Sequence, residues 1–302
     1  MRPRHSSPLR YPGGKASLSN FLTDVIDLND LRGCAYYEPY AGGAGAALNL
    51  LREGAVAEIH INDADERVFA FWKSALDDGS RFIDRILDVP LTIDEWHRQR
   101  AICDDSASHS RFDVGFATFY MNRCNRSGVL SGAGPIGGFA QSGAWKLDVR
   151  FNREALAERF RALGKIKSQI HISNCDALEF LKKTLPSGQG RKNVFVYLDP
   201  PYVGKGQRLY LNAYGPKDHA LVSSYLKRQN CLPWLLSYDD DPLIRNLYSD
   251  QRVFNLPIRY SLQKKMSAKE LVICPSSLKL PRSCEISGIR AALLFHTPSQ
   301  QP

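Results

Sequence analysis

VFVYLDPPY, residues 194–202, is the stretch that decides the fold. Its first five residues are apolar, β-branched or aromatic, which predicts a short buried strand. Two prolines cannot continue a central strand, because each lacks an N–H donor and has a fixed φ. We therefore expect the strand to end at Asp199. In an open α/β sheet, ligands bind at the carboxyl ends of the strands.

The turn after this strand carries Asp199, Pro200, Pro201 and Tyr202, which suit a planar ring with an exocyclic amine. Asp199 and the Pro200 carbonyl can both accept hydrogen bonds from an amino group. Tyr202 offers an aromatic face on which the ring can stack. A cis-proline or type VI turn, in which Asp199 has only a local role, is the alternative for these four residues alone.

Composition and charge narrow the class of protein. The chain has 302 residues, of which 43% are hydrophobic and 24% charged, as in an ordinary globular protein of about two domains. Its net charge of +9 favours a polyanionic partner, nucleic acid first, although a merely basic enzyme is also compatible with it. No window approaches a membrane span, and residues 1–7 do not resemble a signal peptide. The seven cysteines predict reduced thiols in a cytoplasmic protein without a metal.

Two glycine-rich turns lie early in the chain. In the first, YPGGK at residues 11–15, the backbone can approach a ligand, and Lys15 at the start of a helix could face a carboxylate. A solvated lysine is the alternative and is favoured by the segment alone. The second turn joins a strand to a helix over residues 35–51, where free N–H groups favour a nucleoside-type cofactor. It is neither a dinucleotide fingerprint nor a P-loop.

Two acids follow predicted strands at positions typical of nucleoside binding. Asp63 ends a strand at 57–63 and could accept both ribose hydroxyls, while Asp65 could cap the next helix. Capping by Asp63 itself is the alternative. Asp176 precedes a predicted helix at 177–184, so it is a strong N-cap candidate that could also accept from an adenine amine.

Between about residues 76 and 165 the α/β rhythm stops. Predicted helices at 82–89, 93–102 and 114–122 lead to a loop, residues 122–139, that is rich in glycine and arginine. This loop could contact phosphates and base edges, or could be a disordered surface loop. Near the carboxyl end, a basic hairpin-like stretch at 258–273 could contact DNA or protect a sheet edge. The predicted DNA contacts are Asn122, Arg123, Arg126, Lys264 and Lys265.

The order of these motifs resembles the Dam-like DNA adenine methyltransferases, which transfer a methyl group from S-adenosylmethionine to N6 of adenine. The similar segments are RYPGGK (10–15), EPYAGGAG (38–45), ND (62–63), Asp176, DPPY (199–202) and KELVI (269–273). Residues 40–41 and the loop at 131–138 depart from the family pattern, so we assign no recognised DNA sequence.

The resemblance implies an α/β fold, a Rossmann-like methyltransferase sheet with helices on both faces and an inserted, mostly helical target-recognition domain. Residues 1–75 and 165–302 would form the catalytic domain that binds S-adenosylmethionine, and residues 76–164 the inserted domain. The partner implied is double-stranded DNA, and a cognate restriction enzyme is left open. The cofactor contacts implied are Tyr11, Gly14, Lys15, Glu38, Pro39, Ala41, Gly42, Gly43, Gly45, Asp63 and Asp176.

The reaction implied is direct transfer to a flipped-out adenine. The base would stack on Tyr202 and give its amine hydrogens to Asp199 and the Pro200 carbonyl, without a covalent intermediate or metal. Three alternatives remain from the sequence: an RNA or protein amine methyltransferase with the same turn, a nicotinamide-dependent oxidoreductase, and a catalytically silent DNA-binding relative.

Overall fold

The computed structural model describes residues 7–11, 15–204, 214–229, 231–259, 267–286, 289–292 and 294–295. Its strands are β1 (Cys34–Glu38), β2 (Val56–Asn62), β3 (Ile170–Ser173), β4 (Val194–Leu198), β5 (Trp234–Asp239), β6 (Arg252–Arg259), β7 (Ser267–Cys274), β8 (Ser283–Ile286), β9 (Ile289–Ala292) and β10 (Leu294–Phe295). Within these ranges, eight strands form one sheet in the order β10-β6-β7-β5-β4-β1-β2-β3, and β8 pairs with β9.

Helices alternate with the first strands and then fill the middle of the chain. The α-helices are α1 (Ser19–Leu28), α2 (Gly45–Arg52), α3 (Glu66–Asp77), α4 (Gly79–Asp88), α5 (Ile93–Asp104), α6 (Arg111–Cys124), α7 (Arg153–Gly164), α8 (Ala177–Thr184), α9 (Pro216–Lys227) and α10 (Pro242–Leu247). Short 3-10 turns span Lys15–Leu18, Ser106–Ser108, Arg126–Gly128, Leu147–Arg150, Lys167–Gln169 and Gly188–Asn193.

The sheet is parallel from β3 to β5, and β7 then runs antiparallel between β5 and β6. The order of the parallel strands reverses between β1 and β4, and a crevice forms where neighbouring connections leave on opposite faces. Every side chain of β4 is buried, so the predicted central strand that ends before Asp199 is confirmed.

The two faces of the sheet carry separate parts of the hydrophobic core. Because successive side chains of a strand point to opposite faces, Phe195 and Tyr197 of β4 pack with α1, α2 and α3. Val196 and Leu198 pack on the other side with α8, α9 and α10. Helices therefore cover both faces, which confirms the expected α/β fold.

The segment at residues 76–164 packs on α3 through α6. An added Cβ at Gly115 of α6 would lie 2.5 Å from the Ala70 carbonyl oxygen, so only glycine permits this approach. Phe71 of α3 contacts Phe119 of α6 and Phe160 of α7 in one aromatic cluster. The segment thus shares a core with α3, and its division from the catalytic domain stays a prediction.

Two expectations concern the chain as a whole. In the part that the structure describes, no helix is both long enough and apolar enough to span a membrane. The described cysteine side chains, at 34, 103, 124, 175, 231 and 274, are free thiols.

Candidate cofactor and base-binding site

A cavity of about 380 Å³ opens at the carboxyl ends of β1 to β4. Ten of the predicted cofactor residues line it: Tyr11, Lys15, Glu38, Pro39, Ala41, Gly42, Gly43, Gly45, Asp63 and Asp176. Gly14 lies outside the described residues. The structure thus brings together segments that are up to 165 residues apart along the sequence, because the parallel strands end at one edge of the sheet.

The turn between β1 and α2 forms the floor of this cavity. Gly42 has a φ of +47°, and an added Cβ there would lie 2.6 Å from the Tyr11 ring. The Gly42 N–H donates to Asp63 Oδ2 at 2.8 Å, and Trp72 Nε1 donates to the Gly42 carbonyl at 2.8 Å. Glycine is therefore required by both backbone conformation and close packing, and the turn is held from two sides.

Asp63 and Asp65 divide two roles between them. Asp65 accepts a hydrogen bond from the Arg67 N–H and caps α3, as expected. Asp63 Oδ1 accepts from the Asp65 N–H at 2.9 Å, and its Oδ2 is held by Gly42. Burial raises the pKa of Asp63 to about 6. Its contact with ribose stays a prediction.

Asp176 and Asn62 organise the far wall of the cavity. Asp176 Oδ1 accepts from the Leu178 N–H at 2.9 Å and from the Glu179 N–H at 3.2 Å, which confirms the predicted N-cap of α8. Asn62 is fully buried, and its Nδ2 donates to the carbonyls of Pro39 and Cys175 at 3.0 Å each. This amide joins the loop after β1 to the loop after β3.

Glu38 is the buried acid of the cavity wall. Burial raises the pKa of Glu38 to about 8, while the Ala47 N–H, in the first turn of α2, opposes this shift. Its Oε2 is buried and has no hydrogen-bond partner in the described part of the chain. A cationic group bound next to it would satisfy this oxygen and favour the ionised carboxylate.

The DPPY turn holds its acid at the mouth of the cavity. Asp199 is 18% exposed, and its Oδ1 lies 3.0 Å from Lys15 Nζ and accepts from Ser237 Oγ at 2.8 Å. Asp199 and Pro201 line the cavity, whereas Pro200 is buried and Tyr202 lies outside its wall. None of the peptide bonds in the described ranges is cis, so the cis-proline interpretation is wrong.

Lys15 is buried, and the expectation of a solvated lysine is wrong. Its Nζ lies against Asp199, 3.1 Å from Glu270 Oε1 and 2.6 Å from the Tyr202 hydroxyl. Burial alone would lower the pKa of Lys15, but the charges of Asp199 and Glu270 outweigh it and raise the pKa above its ordinary value. Lys15 thus faces carboxylates, as the alternative to a solvated lysine expected. These carboxylates belong to the protein and not to a ligand.

Several residues of the site were missed from the sequence. Glu270 of β7 and Ser237 of β5 reach the DPPY turn only because β5 and β7 pair in the sheet. Tyr214 lines the cavity and shares a hydrogen bond of 2.9 Å between its hydroxyl and that of Tyr40. The KELVI segment that resembles the family contains Glu270, but no local pattern shows that its side chain reaches the DPPY turn.

The sequence matches the family model for the D12 class of N6 adenine-specific DNA methyltransferases over residues 11–262. This range covers well over half of the chain and includes the cavity segments and the DPPY turn. The chain belongs to this family. No curated protein sequence matches it significantly. As a D12-class enzyme, it is an adenine-specific DNA methyltransferase, and the interpretation as a nicotinamide-dependent oxidoreductase is wrong.

The structure of this methyltransferase separates the predicted DNA contacts. Asn122 is buried at the end of α6, where it accepts from the Arg10 N–H at 2.7 Å and donates to the Gly128 carbonyl at 2.9 Å. Arg123 is buried as well and donates to the Pro8 carbonyl. In this arrangement both side chains hold the N-terminal segment, and their contact with DNA stays a prediction. Arg126 is exposed, and Lys264 and Lys265 lie outside the described residues.

The methyltransferase also carries a histidine–glutamate cluster away from the cavity. Glu58 lies 3.1 Å from Nε2 of His60 and from Nε2 of His171, on the adjacent strands β2 and β3. The two rings stack with centroids 4.4 Å apart and planes inclined by 21°. The ligand atoms of these three residues lie within 4.8 Å of one another, close enough to hold a metal ion, and their hydrogen bonds also join β3 to β2.

Proposed function

We propose that this methyltransferase transfers a methyl group from S-adenosylmethionine to N6 of an adenine that is flipped out of double-stranded DNA. The observation that carries the proposal is the fixed carboxylate of Asp199 at the mouth of the cavity. Lys15 and Ser237 hold its Oδ1, and no hydrogen bond to its Oδ2 is formed within the described part of the chain. Oδ2 therefore remains to accept from the adenine amine.

The charge of the cavity supports a cationic cofactor. Five acids line it (Glu38, Asp63, Asp65, Asp176 and Asp199) against two cationic side chains (Lys15 and Arg67). Even with Glu38 counted as neutral because of its raised pKa, acidic side chains outnumber cationic ones in this cavity, in a chain whose net charge is +9. S-adenosylmethionine carries a sulfonium and an ammonium, which suit such a wall, whereas the phosphates of a dinucleotide would be repelled.

The residues present fit the parts of this cofactor. Asp63 suits the ribose hydroxyls and Asp176 the adenine amine, because each carboxylate keeps acceptor capacity beside its backbone bonds. Glu38, with its unsatisfied Oε2, suits the ammonium group. The glycine turn and the N–H groups at the start of α2 suit the methionine carboxylate.

The chemistry follows from positioning. Bound S-adenosylmethionine would supply a methyl group on a positively charged sulfur. This sulfur is a good leaving group, because it becomes a neutral thioether when the methyl group is transferred. Asp199 and the Pro200 carbonyl would accept the two amine hydrogens, so that the N6 lone pair is drawn out of ring conjugation and aimed at that methyl. Tyr202 would stack on the extruded ring and hold it outside the duplex. Asp199 stands where it can take the amine proton released after transfer.

The inserted segment supports duplex DNA as the substrate. Its loop exposes Arg126 and Phe139, which is 59% exposed, and the residues after the loop expose Trp145, at 68%, and Lys146. Cationic side chains bind phosphates, and aromatic side chains stack on or wedge between bases. Val129 of the same loop lines the cavity. DNA contact and cofactor binding would therefore share one segment.

Two measurements test the proposal. Calorimetry should detect binding of S-adenosylmethionine but not of NAD. Under single-turnover conditions, Asp199→Ala should slow transfer of labelled methyl to unmethylated plasmid DNA by about 100-fold or more, with cofactor affinity nearly unchanged. Asp104→Ala, which removes an exposed acid of α5, is the matched control and should transfer at the wild-type rate. Full activity of Asp199→Ala, or no binding of S-adenosylmethionine, would refute the proposal.

A further inference from the structure

Glu270 is a charged residue in an unusual position. It lies on β7 opposite Asp239 of β5 and Leu256 of β6, in the interior of the sheet. Its side chain is only 1% exposed. Residue 270 lies beyond residues 11–262, where the family model matches, but within the KELVI segment that resembles a family ending. A carboxylate buried this deeply requires charged or hydrogen-bonded partners, because desolvation disfavours its ionised form.

Its partners are two residues of the site. Glu270 Oε1 accepts from Lys15 Nζ at 3.1 Å and from the hydroxyl of Tyr202. Lys15 Nζ in turn donates to the Tyr202 hydroxyl oxygen at 2.6 Å. The hydroxyl of Tyr202 therefore accepts from an ammonium and donates to a carboxylate. Both bonds are charge-assisted, the stronger class of hydrogen bond.

This arrangement fixes the ring of Tyr202. A phenol held at its oxygen from two sides cannot swing about its side-chain bonds without losing both hydrogen bonds. Lys15 Nζ lies 5.0 Å from the ring centroid, so the cation also constrains the ring. The stacking surface for an extruded base is thus set before the base arrives, which lowers the cost of binding it.

Glu270 also divides the charge of Lys15. The ammonium lies 3.0 Å from Asp199 Oδ1 and 3.1 Å from Glu270 Oε1, so neither carboxylate holds it alone. Burial raises the pKa of Glu270, and Lys15 opposes that shift. Without Glu270, Lys15 would be free to turn fully onto Asp199 and compete with the adenine amine for its second oxygen.

We propose that Glu270 is a positioning residue for methyl transfer, which orients the stacking face of Tyr202 and holds Lys15 on one oxygen of Asp199. This inference rests on the function proposed above. Glu270 would act through these two side chains and would not touch the substrate. A merely structural role, by contrast, would affect stability and cofactor binding together with the rate.

A double-mutant cycle separates the two roles. The variants are Glu270→Leu, which keeps the volume but removes the acceptor, and Tyr202→Phe, which keeps the ring but removes the hydroxyl. The rate of single-turnover methyl transfer to unmethylated plasmid DNA is measured for each variant and for the double variant, with cofactor affinity and thermal unfolding beside it. Glu270→Gln tests rescue, since its amide oxygen can still accept both bonds. Glu158→Gln, an exposed change of the same kind, is the control.

We expect each single variant to slow transfer by about 10- to 100-fold, the range for a lost hydrogen bond to a charged group. The double variant should transfer at nearly the rate of the slower single variant. Both substitutions remove the same hydrogen bond, the one between Glu270 and the Tyr202 hydroxyl. Glu270→Gln should recover part of the rate and keep wild-type cofactor affinity.

Wild-type transfer by Glu270→Leu, or two effects that multiply in the double variant, would overturn the inference alone. The inference would also be overturned, in favour of a structural role, if Glu270→Gln lost as much rate as Glu270→Leu and both variants bound the cofactor more weakly. No transfer by the wild-type protein would instead overturn the proposed function and this inference with it.

Discussion

Replacement of Lys15 by methionine removes the cation that the buried carboxylate of Glu270 and the partly exposed carboxylate of Asp199 share. Lys15 is 6% exposed, and its Nζ lies 3.0 Å from Asp199 and 3.1 Å from Glu270. Methionine is similar in length and volume, so the packing around the side chain should be kept. The variant therefore isolates the loss of charge from the loss of shape.

The expected cost is large because a charge is left without its partner. Removal of one member of a buried ion pair destabilises a protein by about 3–5 kcal/mol. For a chain of this size, that corresponds to a fall in melting temperature of about 5–8 °C. The surface pair of Lys73 and Asp77, at 3.2 Å, provides the comparison, since Lys73→Met should cost only about 0–1 kcal/mol.

The loss in free energy of unfolding caused by Lys15→Met should also depend on pH. Without Lys15, burial would raise the pKa of Glu270 further above its unfolded value, so the folded protein binds a proton more readily than the unfolded chain. Such a group stabilises the fold below its unfolded pKa and loses that contribution as the pH rises through the folded pKa. The deficit of Lys15→Met should therefore be small near about pH 5 and larger near about pH 8.

Urea unfolding of the wild type, Lys15→Met, Lys73→Met and the double variant Lys15→Met/Glu270→Gln across this pH range measures these free energies. The double variant should regain part of the stability, because Asp199 would then be the single remaining carboxylate of the cluster. A deficit of Lys15→Met no larger than that of Lys73→Met, or one that is the same at every pH, would refute the reasoning.

Three further predictions concern the cofactor, the loop and DNA. Because the pKa of Glu38 is about 8, binding of a cationic cofactor should release a proton. Near about pH 7, where the α-ammonium of S-adenosylmethionine is still charged, calorimetry should therefore show more proton release on binding to the wild type than to Glu38→Gln. Gly128→Ala should lower the melting temperature by several degrees more than Gly132→Ala. Both have a φ of +74°, but only at Gly128 would a Cβ meet a carbonyl oxygen at 2.2 Å, whereas nothing described lies within 4 Å at Gly132. Arg126→Ala should weaken duplex binding in fluorescence anisotropy and reduce the salt slope by about one, whereas an unchanged slope would exclude a phosphate contact.

Local sequence signals were sufficient for the elements around the site. The apolar run and the two prolines predicted β4 and its end, because both effects act within a few residues. Asp176 predicted the start of α8 at residue 177, since an N-cap is a local hydrogen bond. Strands β8 to β10 follow Pro281, where no hydrophobic period predicted them.

Contacts across the sheet could not be predicted in this way. Lys15 and Glu270 are 255 residues apart and meet only because β7 inserts antiparallel beside β5. Asn122 and Arg123 show a second limit of local signals, although their contact with DNA stays a prediction. Both were assigned to a DNA-binding loop, but α6 extends to Cys124 and buries them against backbone carbonyls. The residue type alone does not show whether a polar side chain hydrogen-bonds buried backbone groups or binds DNA.

The most direct test of the account is the identity of the methylated nucleoside. Unmethylated plasmid DNA is incubated with S-adenosylmethionine and the enzyme, digested, and analysed by mass spectrometry. We expect N6-methyldeoxyadenosine with the wild type and Asp104→Ala, and about 100-fold less or none with Asp199→Ala after the same short incubation. A methyl group on cytosine, no methylated nucleoside at all, or equal yields with Asp199→Ala would contradict the account.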